Sequence, residues 1–189
     1  MSLGTGGNGA ASAAEVLSFW FNELDNARRF AKDPALDAAI GQRFGATLGA
    51  AIAGELADWR DTAAGRLAEI VVLDQFSRNV WRDTPAAFTQ DPQALALAQE
   101  LVRSGLDQTL APAQRAFAYM PYMHSESAQV HEQAVVLFSQ PGLEGSLDYE
   151  LRHQAIIARF GRYPHRNAIL GRVSTPEEIA FLAEPGSSF

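Results

Sequence analysis

The residues best suited to bind or transform a ligand are concentrated in one basic stretch, residues 151–172. This stretch holds five arginines and two histidines but no aspartate or glutamate, whereas the whole 189-residue chain has a net charge of −7 at pH 7. Guanidinium groups form paired hydrogen bonds with carboxylates and phosphates. The local reversal of charge therefore predicts a site for an anion. The ligand contacts that we predict from this stretch are Arg159, Arg162, His165, Arg166 and Asn167.

A second polar patch lies on a predicted helix that is otherwise apolar. Asp74 and Arg78 are four residues apart and can pair along one helix face. Arg82 follows just beyond them. An ordinary surface ion pair of this kind contributes only about 0.2–0.5 kcal/mol. The alternative is that the patch points inward, and we add Arg78 and Arg82 to the predicted ligand contacts.

A third group contains the side chains that could transfer protons. His124 or His165 could serve as the acid–base, with Glu126 or Asp74 orienting the imidazole. His131 shares a helix face with His124, but Glu126 points about 140° away from His131 on a regular helix. No HExxH spacing is present. We therefore predict no metal site and no cofactor.

The composition excludes several classes of protein. An acidic chain lacks the broad positive potential that general nucleic-acid binding needs. It has no cysteine, which excludes disulfides and thiolate metal sites. No apolar run approaches the ~18 residues that span a bilayer, and residues 1–10 do not resemble a signal peptide. We predict a cytoplasmic protein without a membrane partner; the sequence leaves the oligomeric state open.

Helix-start signals recur along the chain, with short connections and no alternating strand pattern. Ser12 and Glu15, for example, have the spacing of a capping box, which bonds the first free amides of a helix. These signals predict an all-α fold of stacked helix hairpins, and their spacing indicates a solenoid-like α–α superhelix without a clean 34-residue repeat. We divide the chain into a flexible leader at residues 1–11 and a single all-helical domain at residues 12–189.

Several helix boundaries follow from the same signals. Thr62, Asp91 and Ser146 are expected to cap helices, and Gly161 to end one in the left-handed conformation. The helix of Asp91 is expected to run to Gly105. The other spans predicted in this way are residues 34–56, 62–80, 122–138 and 146–160.

Several longer motifs resemble those of a known family. The motifs are Leu73-Asp74-Gln75-Phe76-Ser77-Arg78-Asn79, Arg82-Asp83-Thr84-Pro85-Ala86-Ala87-Phe88, Tyr119-Met120-Pro121, His124-Ser125-Glu126 and Ile156-Ile157-Ala158-Arg159-Phe160-Gly161-Arg162-Tyr163-Pro164-His165-Arg166-Asn167. They resemble a bacterial family of uncharacterised proteins, found also in some eukaryotes and known only as a domain of unknown function. The resemblance covers residues 14–189 and implies a tetratricopeptide-like helical fold, but no activity. Gln154 departs from it, since a basic residue is expected after His153.

Three hypotheses for function remain open at this point. The first is a binding protein whose Arg/His-lined groove takes an anionic small molecule or an acidic peptide. The second is a hydrolase that uses His/carboxylate acid–base chemistry on a small anionic substrate. In the third, the arginines only pair with acids such as Asp74, Asp83, Glu126 or Glu132 and hold the C-terminal segment in place.

Overall fold

The computed structural model describes residues 9–187, and these residues form helices and no strand. The predicted all-helical class is therefore confirmed, whereas the tetratricopeptide-like superhelix and the domain boundaries stay predictions. No helix of this part of the chain is long and apolar enough to cross a membrane. Most of the predicted leader, residues 1–11, lies outside the described residues. Of the remainder, the Ala11 amide donates to Thr47 Oγ1 at 2.8 Å.

Ten α-helices follow one another along the described residues. They are α1 (Ala13–Ser18), α2 (Asn26–Phe30), α3 (Pro34–Ile52), α4 (Ala63–Val71), α5 (Ser77–Val80), α6 (Asp91–Ser104), α7 (Pro112–Met123), α8 (Ala128–Phe138), α9 (Glu144–Phe160) and α10 (Pro176–Leu182). Short 3-10 turns lie at Ala57–Asp61, Pro85–Phe88, Leu106–Thr109 and Pro164–Arg166, and π-helical turns at Phe19–Glu23 and Val72–Phe76.

Local capping signals account for several helix ends. The Ser12 hydroxyl accepts a hydrogen bond from the Glu15 amide at 3.3 Å, and the Glu15 carboxylate accepts one from the Ser12 amide at 2.8 Å. Thr62 caps α4 in the same way, accepting from the Gly65 amide at 3.0 Å. Gly161 ends α9 with a φ of 68°, as predicted. These contacts are local, which is why the sequence reveals them.

The centre of the fold is α4, which packs against α1, α6 and α7. It continues through the π-helical turn Val72–Phe76 into α5, and all five residues of the turn are buried. The ring of Phe76 anchors the turn, with its centroid 5.0 Å from that of Phe44 and 5.7 Å from that of Trp20. A single π-helical turn inside an α-helix often occurs at a functional site. This one carries Asp74 into the protein interior.

The predicted continuous helix over residues 122–138 is wrong, because the chain breaks between α7 and α8. The Ser125 hydroxyl accepts the Ser127 amide at 3.2 Å, and the Ser125 carbonyl accepts from His131 Nε2 at 2.8 Å. A serine that bonds nearby backbone in this way competes with the helix. The break frees the carbonyl of His124 and the side chain of Glu126 for contacts elsewhere.

Two other predicted boundaries are wrong for local reasons. Helix α9 begins at Glu144, before Ser146, because the Ser146 amide already bonds the Leu143 carbonyl at 2.9 Å. Helix α3 ends at Ile52, because Gly54 adopts a left-handed φ of 75° that turns the chain. The four-residue spacing of apolar residues predicted a helix to residue 56, because Leu56 fits that spacing; it is buried, but it lies after the turn.

A buried His–Glu pair joins α8 to α9. His131 Nδ1 lies 2.6 Å from Glu150 Oε1, and both side chains are 0% exposed. Because the Ser125 carbonyl can only accept, His131 Nε2 carries a hydrogen, and the Tyr163 hydroxyl lies 3.1 Å from the same nitrogen. Nδ1 and Glu150 therefore share one further proton. Burial raises the pKa of Glu150, and the bond to His131 acts in the opposite direction.

Replacing His131 by leucine removes one partner of this pair and leaves the Glu150 carboxyl buried alone. We expect the free energy of unfolding, measured by urea denaturation, to fall by about 3–5 kcal/mol. The matched control is Val136→Ala on the same helix, where the residue is 71% exposed and we expect a change within about 0.5 kcal/mol. A loss for His131→Leu as small as that of the control would contradict a stabilising role for the pair.

Candidate functional site

Residues from four separate parts of the chain meet at one cluster beside α4. Asp74 comes from the π-helical turn and Arg78 from α5, and His124 follows α7. Asp91 lies in the first turn of α6, and Arg166 lies on the 3-10 turn after α9. The cluster therefore unites members of all three polar groups that the sequence singles out. We call these five residues the Asp–His–Arg cluster.

Asp74 and His124 form a hydrogen-bonded pair at the base of the cluster. The distance from His124 Nδ1 to Asp74 Oδ1 is 2.7 Å; the Asp74 side chain is 1% exposed and that of His124 is 16% exposed. Arg78 Nη1 lies 3.1 Å from the same carboxylate oxygen, and Gln75 donates to the other one. Asp74 thus binds three neighbours although it is buried in an apolar part of the helix.

The protonation of this pair follows from its surroundings. Burial acts to raise the pKa of Asp74, but Arg78 and His124 outweigh it and hold that pKa well below its usual range. An ionised carboxylate can only accept, so the hydrogen lies on His124 Nδ1 and the lone pair on Nε2. Burial lowers the pKa of His124, and the charge of Arg78 lowers it further. The imidazole is therefore neutral at neutral pH.

His124 Nε2 is the atom of this pair that a ligand can use. Within residues 9–187, the side-chain hydrogen bonds of His124 are confined to Nδ1. A buried carboxylate that fixes Nδ1–H and leaves Nε2 as an acceptor is the arrangement by which a general base is oriented. The geometry therefore permits proton transfer at Nε2.

Two guanidinium groups share one carboxylate next to the Asp–His pair. Arg78 donates to both oxygens of Asp91, at 2.8 and 3.0 Å. Arg166 Nη1 donates to Oδ2 of the same carboxylate at 3.1 Å, and its Nη2 donates to the His124 carbonyl at 3.1 Å. Both guanidiniums lie over the Phe88 ring. The guanidinium carbon, Cζ, lies 4.6 Å from the ring centroid in Arg166 and 5.6 Å from it in Arg78. Phe88 and Asp91 hold two like charges side by side.

The positive charges of Arg78 and Arg166 are not equally compensated by nearby carboxylates. Burial acts to lower the pKa of Arg78, but Asp74 and Asp91 outweigh it and raise that pKa. Burial lowers the pKa of Arg166, and the charge of Arg78 adds to this effect. Arg166 is 7% exposed, and its Nε is buried without a hydrogen-bond acceptor among the described residues. A buried donor left without an acceptor costs about 1–3 kcal/mol, and more when it is charged.

Four other predicted ligand contacts, three arginines and Asn167, are bound to acids outside the cluster. Arg82 binds Asp37 at 2.6 and 2.7 Å, on the side of α3. Arg159 binds Glu177 of α10 at 3.0 Å. Arg162 binds Glu178 of the same helix at 2.6 and 2.8 Å, and the buried Asn167 donates to Glu178 at 3.3 Å. The bonds of Arg162 and Asn167 tie the turn after α9 to α10, and the bond of Arg159 ties α9 itself to α10.

The two other acid–base candidates lie at the edge of the cluster. Glu126 accepts two hydrogen bonds from Arg172, at 2.6 and 2.9 Å, and one from the Tyr163 amide at 2.7 Å. Burial acts to raise the pKa of Glu126, but these bonds outweigh it and lower that pKa. The ring of His165 lies 5.5 Å from that of Tyr163, and burial, together with Arg166, lowers the pKa of His165 to about 4. Asp74 is the acid that contacts His124.

Sequence reasoning did not identify Asp91 and Phe88 as part of the site. The prediction that Asp91 caps α6 is wrong, because the N-cap residue is Gln90 and the helix begins at Asp91. The Asp91 carboxylate binds arginines instead. Those arginines are 13 and 75 residues away along the chain. No local pattern relates residues at such separations, so the sequence carries no signal for these contacts.

Two shallow surface depressions lie outside the Asp–His–Arg cluster. One, of about 360 Å³, is bordered by Val102, Tyr122 and residues of α8. The other, of about 240 Å³, lies between α8 and α9 and is bordered by Ala128 and Leu151. Among residues 9–187, no group of three or more His, Asp or Glu side chains is arranged to hold a metal ion.

The fold and the motifs define a class of all-helical bacterial proteins. The chain matches the family described as "Bacterial protein of unknown function (DUF924)" over residues 16–186, and it belongs to that family. It is also similar to a solved structure, the protein of unknown function ATU0120 from Agrobacterium tumefaciens. The two sequences are 38% identical, the match covers 90% of this chain and 96% of that one, and the TM-score is 0.86. No protein with a curated description matches the chain.

Proposed function

We propose that this protein binds a small anionic ligand at the Asp–His–Arg cluster, with Arg166 as the principal contact. The observation that carries the proposal is the Arg166 Nε–H, a buried charged donor without an acceptor among the described residues. An oxygen of a carboxylate or phosphate would satisfy this donor with a charge-assisted hydrogen bond. The ion pairs of the site then position the guanidiniums for the ligand.

The pattern of charge supports an anion more than a purely structural role. The carboxylate of Asp91 is shared between two arginines, and Arg78 has Asp74 as a second partner. Among the described residues, Arg166 donates hydrogen bonds only to the shared carboxylate and to a backbone carbonyl, and its pKa is lowered by burial and by Arg78. A group whose charge is disfavoured in this way gains from a further negative charge nearby.

The burial of Arg166 supports a small ligand, or one anionic group of a larger one. Arg166 is 7% exposed, and a side chain buried to this degree would be contacted by a small anionic group. Arg159, an exposed arginine that could meet an acidic peptide along a surface, is bound to Glu177 of α10. An acidic peptide stays the alternative partner. Calorimetry with both small anions and acidic peptides distinguishes the two kinds of ligand.

A hydrolase is the second candidate, and the hydrogen bond between Asp74 and His124 is what favours it. Nε2 of His124 would remove a proton from a water molecule, whose oxygen attacks the electrophilic atom of the substrate. The same nitrogen would return that proton to the leaving oxygen. Arg78 and Arg166 would hold the anionic group of the substrate, and Asp74 would stabilise the transient imidazolium.

Replacing Arg166 by methionine removes the donor while keeping an unbranched side chain. We expect its affinity for the best ligand of a panel of phosphates, nucleotides and acidic peptides to fall about ten- to hundredfold in titration calorimetry. This range corresponds to the loss of one hydrogen bond to a charged group. Arg159→Met is the matched control, since its exposed guanidinium binds Glu177. Equal affinities for Arg166→Met and wild type, with both proteins folded by circular dichroism, would contradict the proposed site.

Replacing His124 by glutamine tests the hydrolase candidate, because the amide can still donate to Asp74 but cannot accept a proton. With p-nitrophenyl phosphate and with p-nitrophenyl esters that carry a carboxylate, we expect release of p-nitrophenol to fall at least about a hundredfold. Arg159→Met again serves as the control. Equal rates for His124→Gln and wild type with every substrate would exclude general-base catalysis by His124.

A further inference from the structure

His124 is surrounded by charges that cancel one another. Asp74 and Arg78 face it from the π-helical turn and α5, and Asp91 faces it from α6. The turn after α9 adds Arg166, which donates to the His124 carbonyl. These two arginines and two aspartates sum to zero net charge around a neutral imidazole.

Two further imidazoles interact with His124 electrostatically. They are His153 of α9, with a pKa lowered by burial to about 3, and His165 of the turn after α9, with a pKa lowered by burial to about 4. Both are neutral over the neutral pH range. At the edge, Glu126 and Arg172 form their own ion pair. An added anion would therefore give the cluster a net negative charge unless a proton accompanied it.

We propose that the anion enters this site together with a proton, which is taken from solvent onto Nε2 of His124. This inference rests on the proposed function, since it concerns the same ligand. The ligand oxygens would then be held by two cationic donors, Arg166 Nε–H and His124 Nε2–H. The only bond changes are those of the proton transfer, in which an O–H bond of solvent breaks and the Nε2–H bond forms, and one anion and one proton are bound together. The ligand class is an oxyanion such as a carboxylate or phosphate.

The orientation of His124 is the geometric reason for this coupling. Asp74 Oδ1 holds the hydrogen on Nδ1, so a neutral ring presents a lone pair at Nε2. A lone pair repels an anionic oxygen, whereas a protonated Nε2 donates to it. Asp74 stabilises the resulting imidazolium, because its carboxylate already lies 2.7 Å from the ring. The Asp–His pair is thus built to accept a proton once a second anion offsets Arg78.

The direction of the pH dependence follows from the pKa of His124. Without ligand this pKa is lowered by burial and by Arg78, and a bound anion raises it. A group whose pKa rises on binding takes up a proton, so the affinity is highest at low pH. It falls as pH rises through the pKa of the complex, by at most about tenfold per pH unit for one proton.

Sulfate is the appropriate test ligand, because its own charge stays constant over this range of pH. We would measure its dissociation constant by calorimetry between about pH 5 and pH 8, the range in which histidine titrates. We expect wild type to lose affinity with rising pH, by up to about tenfold per unit. His124→Gln should bind with a pH-independent affinity, and His165→Gln should keep the wild-type slope.

Each outcome has a distinct meaning. Sulfate binding by wild type with no pH dependence would overturn proton uptake and leave the proposed function standing. If the pH dependence of sulfate affinity were lost in His165→Gln but kept in His124→Gln, the proton would not bind at His124, and that part of the proposal would be overturned. No sulfate binding by wild type at any pH would overturn both the inference and the proposed site. Should His124→Gln fail to fold, ¹⁵N NMR of wild type follows the protonation of His124 Nε2 directly, and sulfate must increase it at neutral pH.

Discussion

The arrangement of the site depends on one buried ionised carboxylate, that of Asp74. It lies in a π-helical turn at the centre of the fold, where every neighbouring position along the helix is buried. A lone carboxylate in such a place would be neutral or strongly destabilising. Arg78 and His124 keep it charged and are themselves fixed by it. Removing Asp74 would therefore release the base and leave Asp91 as the carboxylate that holds Arg78.

The second guanidinium, that of Arg166, is brought beside Arg78 by the C-terminal part of the chain, and both guanidiniums bind the Asp91 carboxylate. The turn that carries Arg166 is bound on one side through Arg172 to Glu126, and on the other through Arg162 to Glu178 of α10. These ion pairs hold the C-terminal segment in place, which is the structural role that the third hypothesis from the sequence gave to the basic stretch. Arg166 alone of this set has a buried donor without an acceptor. A structural role for most of the arginines and a binding role for one are therefore compatible.

Features that depend on neighbouring residues could be predicted from the sequence. The caps at Ser12 and Thr62 and the stop at Gly161 involve contacts within a few residues, and they confirm helices where they were expected. The charge reversal over residues 151–172 likewise drew attention to Arg166. The break after α7 was missed, because it depends on two bonds of Ser125. Its hydroxyl accepts from the Ser127 amide, and its carbonyl accepts from the His131 side chain.

Contacts between distant residues could not be predicted in this way. Four acids were considered as partners for the arginines of the basic stretch. Glu126 has that role with Arg172, whereas Asp74 binds Arg78 and Asp83 binds Lys32. The sequence offers no means of choosing among them, because pairing across more than 40 residues depends on how helices pack. The sharing of Asp91 by two arginines is a property of the packed fold alone.

The most direct test of the central claim, that Arg166 binds an anion, is a crystal structure of the protein grown with selenate. Selenium gives an anomalous signal that identifies the anion unambiguously. The account predicts a selenate oxygen at hydrogen-bonding distance, about 2.7–3.2 Å, from Arg166 Nε. A structure in which saturating selenate occupies only surface positions, while Arg166 Nε bonds a water molecule or a protein group, would contradict it.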